Sequence, residues 1–147
     1  MRRNKFIIFV LVLVVIISIL IYNNFGIKQI CIKNKACFNA EIADTDEKKI
    51  LGLGNRDFLE ESGGMLFPYP EKSAPGFWMK NMRFPIDIIW INPEMRVSGI
   101  VNDFQPCESD EVCPVIYPDE EIIYVFEINS GLSDRHDLEN GDLVYFR

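Results

Sequence analysis

The stretch Phe77-Trp78-Met79-Lys80-Asn81 places aromatic rings, a cation and an amide side by side, and Asp87 follows shortly after. An indole offers apolar area, while the lysine and asparagine beside it offer charge and hydrogen bonds. Together they suit a polar ligand with an apolar face, such as a sugar or a peptide end. The plainer reading puts Trp78 and Met79 in a core and has Lys80 and Asn81 hold a tight turn. Arg56 and Asp87 belong to the same question. They form either an ion pair that holds a helical turn on a sheet, or a guanidinium and a carboxylate presented to a ligand. The ligand-binding candidates are therefore Arg56, Trp78, Lys80, Asn81 and Asp87.

Parts for catalysis are few. Asp87 and Glu127 sit in strongly apolar stretches, where a carboxylate is costly unless paired and where it can act as acid or base. His136 is the single histidine, within Ser133-Asp134-Arg135-His136-Asp137, where Asp134 or Asp137 can orient it; a surface-turn histidine is the plainer reading. There is no serine in a nucleophile-elbow pattern, no histidine cluster, no phosphate-binding glycine loop and no dinucleotide fingerprint. Met65, Met79, Met82 and Met95 carry thioethers that suit Cu(I), although methionine fills cores far more often. The acids Glu108, Asp110, Glu111, Asp119, Glu120 and Glu121 lack the ordered spacing of a calcium loop. No cofactor and no metal site is expected, and the balance leans against an enzyme.

The elements that must position these residues read as short strands. Lys28–Lys33 and Ala36–Ala43 form an expected hairpin, with Ile30, Ile32, Phe38 and Ile42 as its apolar positions. Asp44-Thr45-Asp46-Glu47 signals a helix start with Asp44 as cap. A second helical turn is expected over Arg56–Glu61, stopped by Gly63-Gly64. Further strands are expected at Met65–Phe67, Gly76–Met79, Ile86–Asn92, Met95–Asp103, Glu121–Asn129 and Asp142–Arg147, with prolines marking the loops between them. Ile86–Asn92 and Ile122–Asn129 are apolar on both parities, as befits central strands covered on both faces. The fold class that follows is mostly β with minor α, a β-sandwich or partly closed barrel with one or two short helices.

The cysteines, Cys31, Cys37, Cys107 and Cys113, come as two pairs with five residues inside each. That spacing is wide for zinc ligands, and an even count suits bridges in an oxidising compartment. Four cysteines allow three connectivities, of which the local one, Cys31–Cys37 and Cys107–Cys113, is the expectation. Phe6–Tyr22 is an almost unbroken apolar run that spans roughly 26 Å as a helix, enough for a bilayer core. No small-x-small cleavage pattern follows it. Arg2, Arg3 and Lys5 flank its start, so the positive-inside rule puts the rest of the chain outside the cytoplasm. The expected organisation is a basic cytoplasmic tip (1–5), a single-pass anchor in the cell membrane (6–22), a stalk (23–27) and an extracytoplasmic β domain (28–147). The net charge of −7 over 147 residues argues against nucleic-acid binding.

Three segments resemble the domain-of-unknown-function family 192, small exported or membrane-anchored proteins of bacteria and archaea. They are Gly64-Met65-Leu66-Phe67, then Phe77-Trp78-Met79-Lys80-Asn81, then Pro85-Ile86-Asp87-Ile88-Ile89. Gly52-Leu53-Gly54-Asn55-Arg56 is similar to the family's Gly-Leu-Met-x-Arg element, with Gly54 where methionine is usual. Met82 and Phe84 stand where the family has Thr and Ile. Phe126-Glu127-Ile128-Asn129-Ser130-Gly131 and Gly141-Asp142 are similar to its closing motifs. The resemblance implies a β domain and supplies no activity. The expected function is a membrane-anchored extracytoplasmic binding or accessory domain, with the bilayer and an envelope ligand or protein as partners. The alternatives are a small hydrolase of envelope polymers and copper handling.

Overall fold

The computed structural model of the protein describes residues 11–14, 16, 27–107 and 112–147. Residues 11–14 and 16 are helical; the rest of the expected anchor, and most of the stalk, lie outside the described residues. Among the described residues no helix is long and apolar enough to cross a membrane.

The chain opens with the expected hairpin, β1 (Ile27–Ile32) and β2 (Ala36–Ile42). Asn34 takes a left-handed φ of 63° in the three-residue loop, a conformation asparagine tolerates. This register sets Cys31 opposite Cys37, their Cα atoms 4.0 Å apart and their sulfurs bonded. The second bridge, Cys107–Cys113, closes the loop whose acidic residues 108–111 are outside the described residues. Both local pairings are thus as expected.

Helix α1 (Asp46–Leu51) follows, capped by Thr45, whose hydroxyl accepts from the Lys48 amide at 3.3 Å. Asp44, the expected cap, instead pairs with the Lys48 ammonium at 2.6 Å. The expected helical turn over Arg56–Glu61 does not form. Asn55 adopts a φ of 64°, and the Asn129 amide takes the Leu59 and Glu60 carbonyls at 3.1 and 3.0 Å. These bonds from Asn129 therefore fix the segment in a non-helical path. Gly63-Gly64 begins a strand rather than ending a helix. A Cβ on Gly64 would fall 2.5 Å from the Phe126 ring, so glycine is what lets this strand lie close to its neighbour.

That strand, β3 (Gly63–Ser73), runs beyond its expected end through Pro68 and Pro70. It pairs with β2 only as far as Leu66, so the prolines fall where that side has no ladder to break. β4 (Ile86–Ile91), β5 (Val97–Phe104), β6 (Ile122–Asn129), the short helix α2 (Leu132–Arg135) and β7 (Val144–Phe146) complete the chain. Gly76–Met79, expected as a strand, contributes a single bridge, Phe77 to Ile116.

The strands form one seven-stranded sheet in the order β5-β4-β6-β3-β2-β1-β7. All pairs are antiparallel except β2–β3. A bridge between Arg96 and Leu143 brings the two edges together at one end, so the sheet curls into a half-barrel. Its two faces build two core layers. The inner one holds Ile30, Phe38, Leu66, Ile89, Ile91, Phe126 and Ile128, with Leu132 of α2 closing an end. The outer one holds Met65, Phe67, Ile88, Trp90 and Val125 beneath Leu53, Phe77 and Met79. Every residue of β4 is buried, because it is an interior strand whose alternate side chains feed the two layers.

Candidate functional site

The segment after Pro75 is extended, and its side chains alternate. Phe77 and Met79 point into the outer core, whereas Trp78 and Lys80 point out. Trp78 is therefore a surface residue, 44% exposed, and not the core residue of the plainer sequence reading. Two backbone bonds between Phe77 and Ile116, both 2.9 Å, hold the segment in place. It ends in a turn in which Asn81 takes a φ of 61°. The Asn81 carbonyl accepts the Asn55 amide at 2.8 Å, so this turn clasps the one that follows α1.

A cleft opens between the clasped segments. Its outer part, about 410 Å³, is lined by Glu47, Ile50, Leu51, Trp78, Lys80 and Asn81. Ile50 and Leu51 are 71% and 56% exposed, and α1 buries none of its residues. Ile50, Leu51, Trp78 and Lys80 also line a narrow inner pocket of about 60 Å³, which descends past Gly52, Tyr69 and Phe77 to Glu127. Gly52 caps α1 with φ 52° and ψ −137°, a conformation open to glycine, and its missing side chain leaves the pocket wall free beside Phe67.

Glu127 is 6% exposed, and among the described residues no group donates a hydrogen bond to its carboxylate. Burial pushes its pKa up to about 8, with only the more distant Arg56 charge drawing it down. Burial and the Glu127 charge together push the Tyr69 hydroxyl up to about 12. Lys49, at the pocket wall, lies over the Tyr69 ring at 4.5 Å from the centroid. The inner pocket thus joins aromatic walls, lysines and a neutralised carboxyl at neutral pH.

The other candidates lie elsewhere. Arg56 pairs with Glu41, not with Asp87. Two parallel bonds join them, one of 2.9 Å from Nη2 to Oε2. This holds the Glu41 carboxyl below its usual range, the Arg56 hydrogen bond being the main cause. The pair lines a separate groove beside Phe58, about 400 Å³. Asp87 is fully buried on the opposite face of the sheet from Glu127. In the register Glu127 faces Ile88, whereas Asp87 shares its parity with Ile89 and Ile91. Its Oδ1 accepts the amides of Asp103 and Gly131 at 2.9 and 3.2 Å, and its Oδ2 accepts that of Ser133 at 2.9 Å. It ties the start of α2 to the sheet. His136 ends α2 and meets the Phe38 ring edge-on at 5.7 Å. Asp134, one of its expected orienting acids, accepts instead from Asn102 at 3.0 Å. Met65, Met79 and Met82 pack in the outer core and Met95 against the inner one. Among the described residues no three His, Cys, Asp or Glu side chains gather as metal ligands.

Of the five ligand candidates, then, Trp78, Lys80 and Asn81 share one cleft, while Arg56 and Asp87 do not join them. Ile50, Leu51, Lys49 and Tyr69 are the lining residues that sequence reasoning missed. The adjacent pair Ile50-Leu51 at the end of a short charged helix was the available signal, since a soluble helix ordinarily hides such a pair.

Residues 28–146 match the model of the domain-of-unknown-function family 192, described as an uncharacterized ACR, and the chain belongs to that family. No curated protein matches it. A crystal structure of a protein of unknown function from Novosphingobium aromaticivorans DSM 12444 is similar at 28% identity and a TM-score of 0.75, over 81% of this chain and 84% of that one. A second, from Sinorhizobium meliloti 1021 and described as a candidate transcription regulator, shares the fold at 23% identity. Its TM-score is 0.76, over 83% of this chain and 95% of that one.

Proposed function

We propose that the chain is a membrane-anchored, extracytoplasmic binding domain that seats an envelope component in the cleft between α1 and the Trp78–Asn81 segment. One observation carries the reading. The cleft joins exposed apolar side chains, Ile50, Leu51 and Trp78, to a buried carboxyl at the end of a narrow pocket. Neither feature serves folding, since exposed apolar area gains nothing and a buried unpartnered acid costs free energy. An amphipathic ligand turns both into binding. The anchor rests on the apolar run Phe6–Tyr22 and its basic flank, and the two disulfides suit an oxidising compartment. The net charge of −7 gives no support to a nucleic-acid partner of the kind a regulator would need.

The test is a binding screen of envelope glycans and peptides, comparing the natural chain with a Lys80→Ala/Asn81→Gly variant. Glycine keeps the left-handed turn at position 81 while removing the amide. A ligand lost by the folded variant supports the cleft, and a full set of ligands retained refutes it.

A hydrolase acting on envelope polymers is the second reading, favoured by Glu127 alone. A carboxyl that keeps its proton near neutrality is suited to general acid catalysis. Asp87 cannot serve as its partner, because the sheet separates the two and three amides already occupy Asp87. Turnover of an envelope polymer that disappears in Glu127→Gln supports this reading. Copper handling draws no support from methionines that pack in the cores, three in the outer layer and one against the inner.

A further inference from the structure

We infer that the inner pocket is a receptor for a primary ammonium group, inserted past Trp78 so that it meets the Glu127 carboxylate while its carbon stem lies along Ile50, Leu51 and Trp78. The inference deepens the cleft reading and rests on it. Glu127 is more than nine-tenths buried, no described group hydrogen-bonds its carboxylate, and it lines a pocket that opens to solvent through the cleft. A carboxylate in that position lacks a donor, and an ammonium supplies three. Phe67, Tyr69, Phe77 and Trp78 provide the other walls, and aromatic faces attract a cation through their quadrupoles. About 60 Å³ admits an ammonium with one or two carbons and excludes a sugar ring, which the outer cleft is large enough to hold. Lys49 and Lys80 at the wall weaken the hold on a bare cation. Lys49, however, is held over Tyr69, and a ligand carrying a carboxylate beyond its amine would meet these lysines at the mouth. The fitting ligand is therefore a peptide or amino-acid derivative with a free primary amine.

The chemistry fixes a pH signature. The groups facing Glu127 are Lys49 from α1, Lys80 from the Trp78–Asn81 segment, Tyr69 from β3 and, at longer range, Arg56. An ammonium binds the ionised carboxylate, so the proton held by Glu127 must leave. Affinity for an alkylammonium then rises about tenfold per pH unit up to about pH 8 and levels off above it. A neutral acceptor that used the protonated carboxyl would show the opposite slope.

The experiment titrates the full chain, in detergent micelles and carrying fluorotryptophan, with n-butylammonium chloride or with n-butanol as the neutral match. Fluorine NMR separates the two tryptophans. The expected result is a shift of Trp78 with butylammonium that strengthens toward pH 8, weakens about 10- to 100-fold in Glu127→Gln and is absent with butanol. Equal binding of the two probes, unchanged binding in folded Glu127→Gln, or affinity that falls with rising pH overturns the inference. The pH profile of the natural chain decides the matter by itself if the variant does not fold. Failure of the cleft reading looks different, because then envelope peptides and glycans also leave Trp78 unmoved.

Discussion

Replacing Asp87 by alanine removes an acceptor that three backbone amides share. The Ser133 amide would be left buried without a partner, whereas those of Asp103 and Gly131, in exposed residues, would turn in part to water. Hydrogen bonds to a charged group contribute about 1.5–3 kcal/mol each, and partial relaxation recovers some of the loss. The expected destabilisation of Asp87→Ala is therefore about 4–6 kcal/mol. Asp87→Asn separates the contributions. It keeps an oxygen for the two bonds made by Oδ1 but turns an amide toward the Ser133 N–H, where donor meets donor. Its expected cost is about 2–3 kcal/mol. Urea unfolding of the full chain, followed by circular dichroism, measures both. Since domains of this size are stable by roughly 5–15 kcal/mol, Asp87→Ala is expected at the edge of folding and Asp87→Asn folded with its cleft intact. A loss below about 1 kcal/mol in Asp87→Ala would refute the structural role. So would a folded Asp87→Asn that had lost cleft ligands, for Asp87 would then belong to the site.

Glu127 titrates in the opposite sense to a salt-bridged acid. Its carboxyl rises from 4.5 to about 8 on folding, so the folded state binds more protons between those values. Its contribution to stability is full below about pH 4.5 and is lost as pH climbs through about 8, by on the order of 5 kcal/mol, a slope that Glu127→Gln should remove in urea titrations run from pH 4 to 9. Asn81→Ala keeps a Cβ at a φ of 61° but loses the short polar side chain by which asparagine tolerates it, and should cost about 1 kcal/mol in thermal unfolding, whereas Asn81→Gly should be nearly neutral. Replacing both Cys31 and Cys37 by alanine opens a short loop already held by the hairpin, so a loss near 2 kcal/mol is expected by chemical denaturation. The full-length protein should remain in the membrane fraction after alkaline carbonate extraction, and a soluble form starting after residue 22 would defeat the anchor.

Much of the half-barrel was legible because alternation is a strong signal when both parities are apolar. The parity of Ile86, Ile88 and Trp90 against Ile89 and Ile91 marked β4 as an interior strand before any pairing was known, and the structure feeds those two sets into separate core layers. The Cys31–Cys37 bridge was one of three connectivities open to the sequence, and the hairpin register, which sets the two cysteines opposite each other, decides it. What failed was local reading where distant groups decide. Arg56–Glu61 carries helix-compatible residues, but the Asn129 side chain, some seventy positions away, takes its carbonyls. Gly63-Gly64 reads as a stop signal unless the Phe126 ring pressed against it is known. Trp78 looked like core because tryptophan usually is. Its exposure follows from the alternation of an extended segment that pairs, among the described residues, with Ile116, a partner no spacing rule identifies. The site was half legible for the same reason. Trp78, Lys80 and Asn81 are contiguous, whereas α1 and Glu127 reach the cleft through the fold.

The central claim is that this cleft binds a ligand, and the two tryptophans give it an internal control. Trp78 lies on the cleft wall, whereas Trp90 is buried in the outer core. The most direct measurement is fluorine NMR of the fluorotryptophan-labelled chain titrated with envelope peptides and glycans. A saturable shift of the Trp78 signal with Trp90 unchanged is expected, and its loss in Lys80→Ala/Asn81→Gly. A Trp78 signal that stays fixed across the whole set, or a shift that survives in that variant, would contradict the claim.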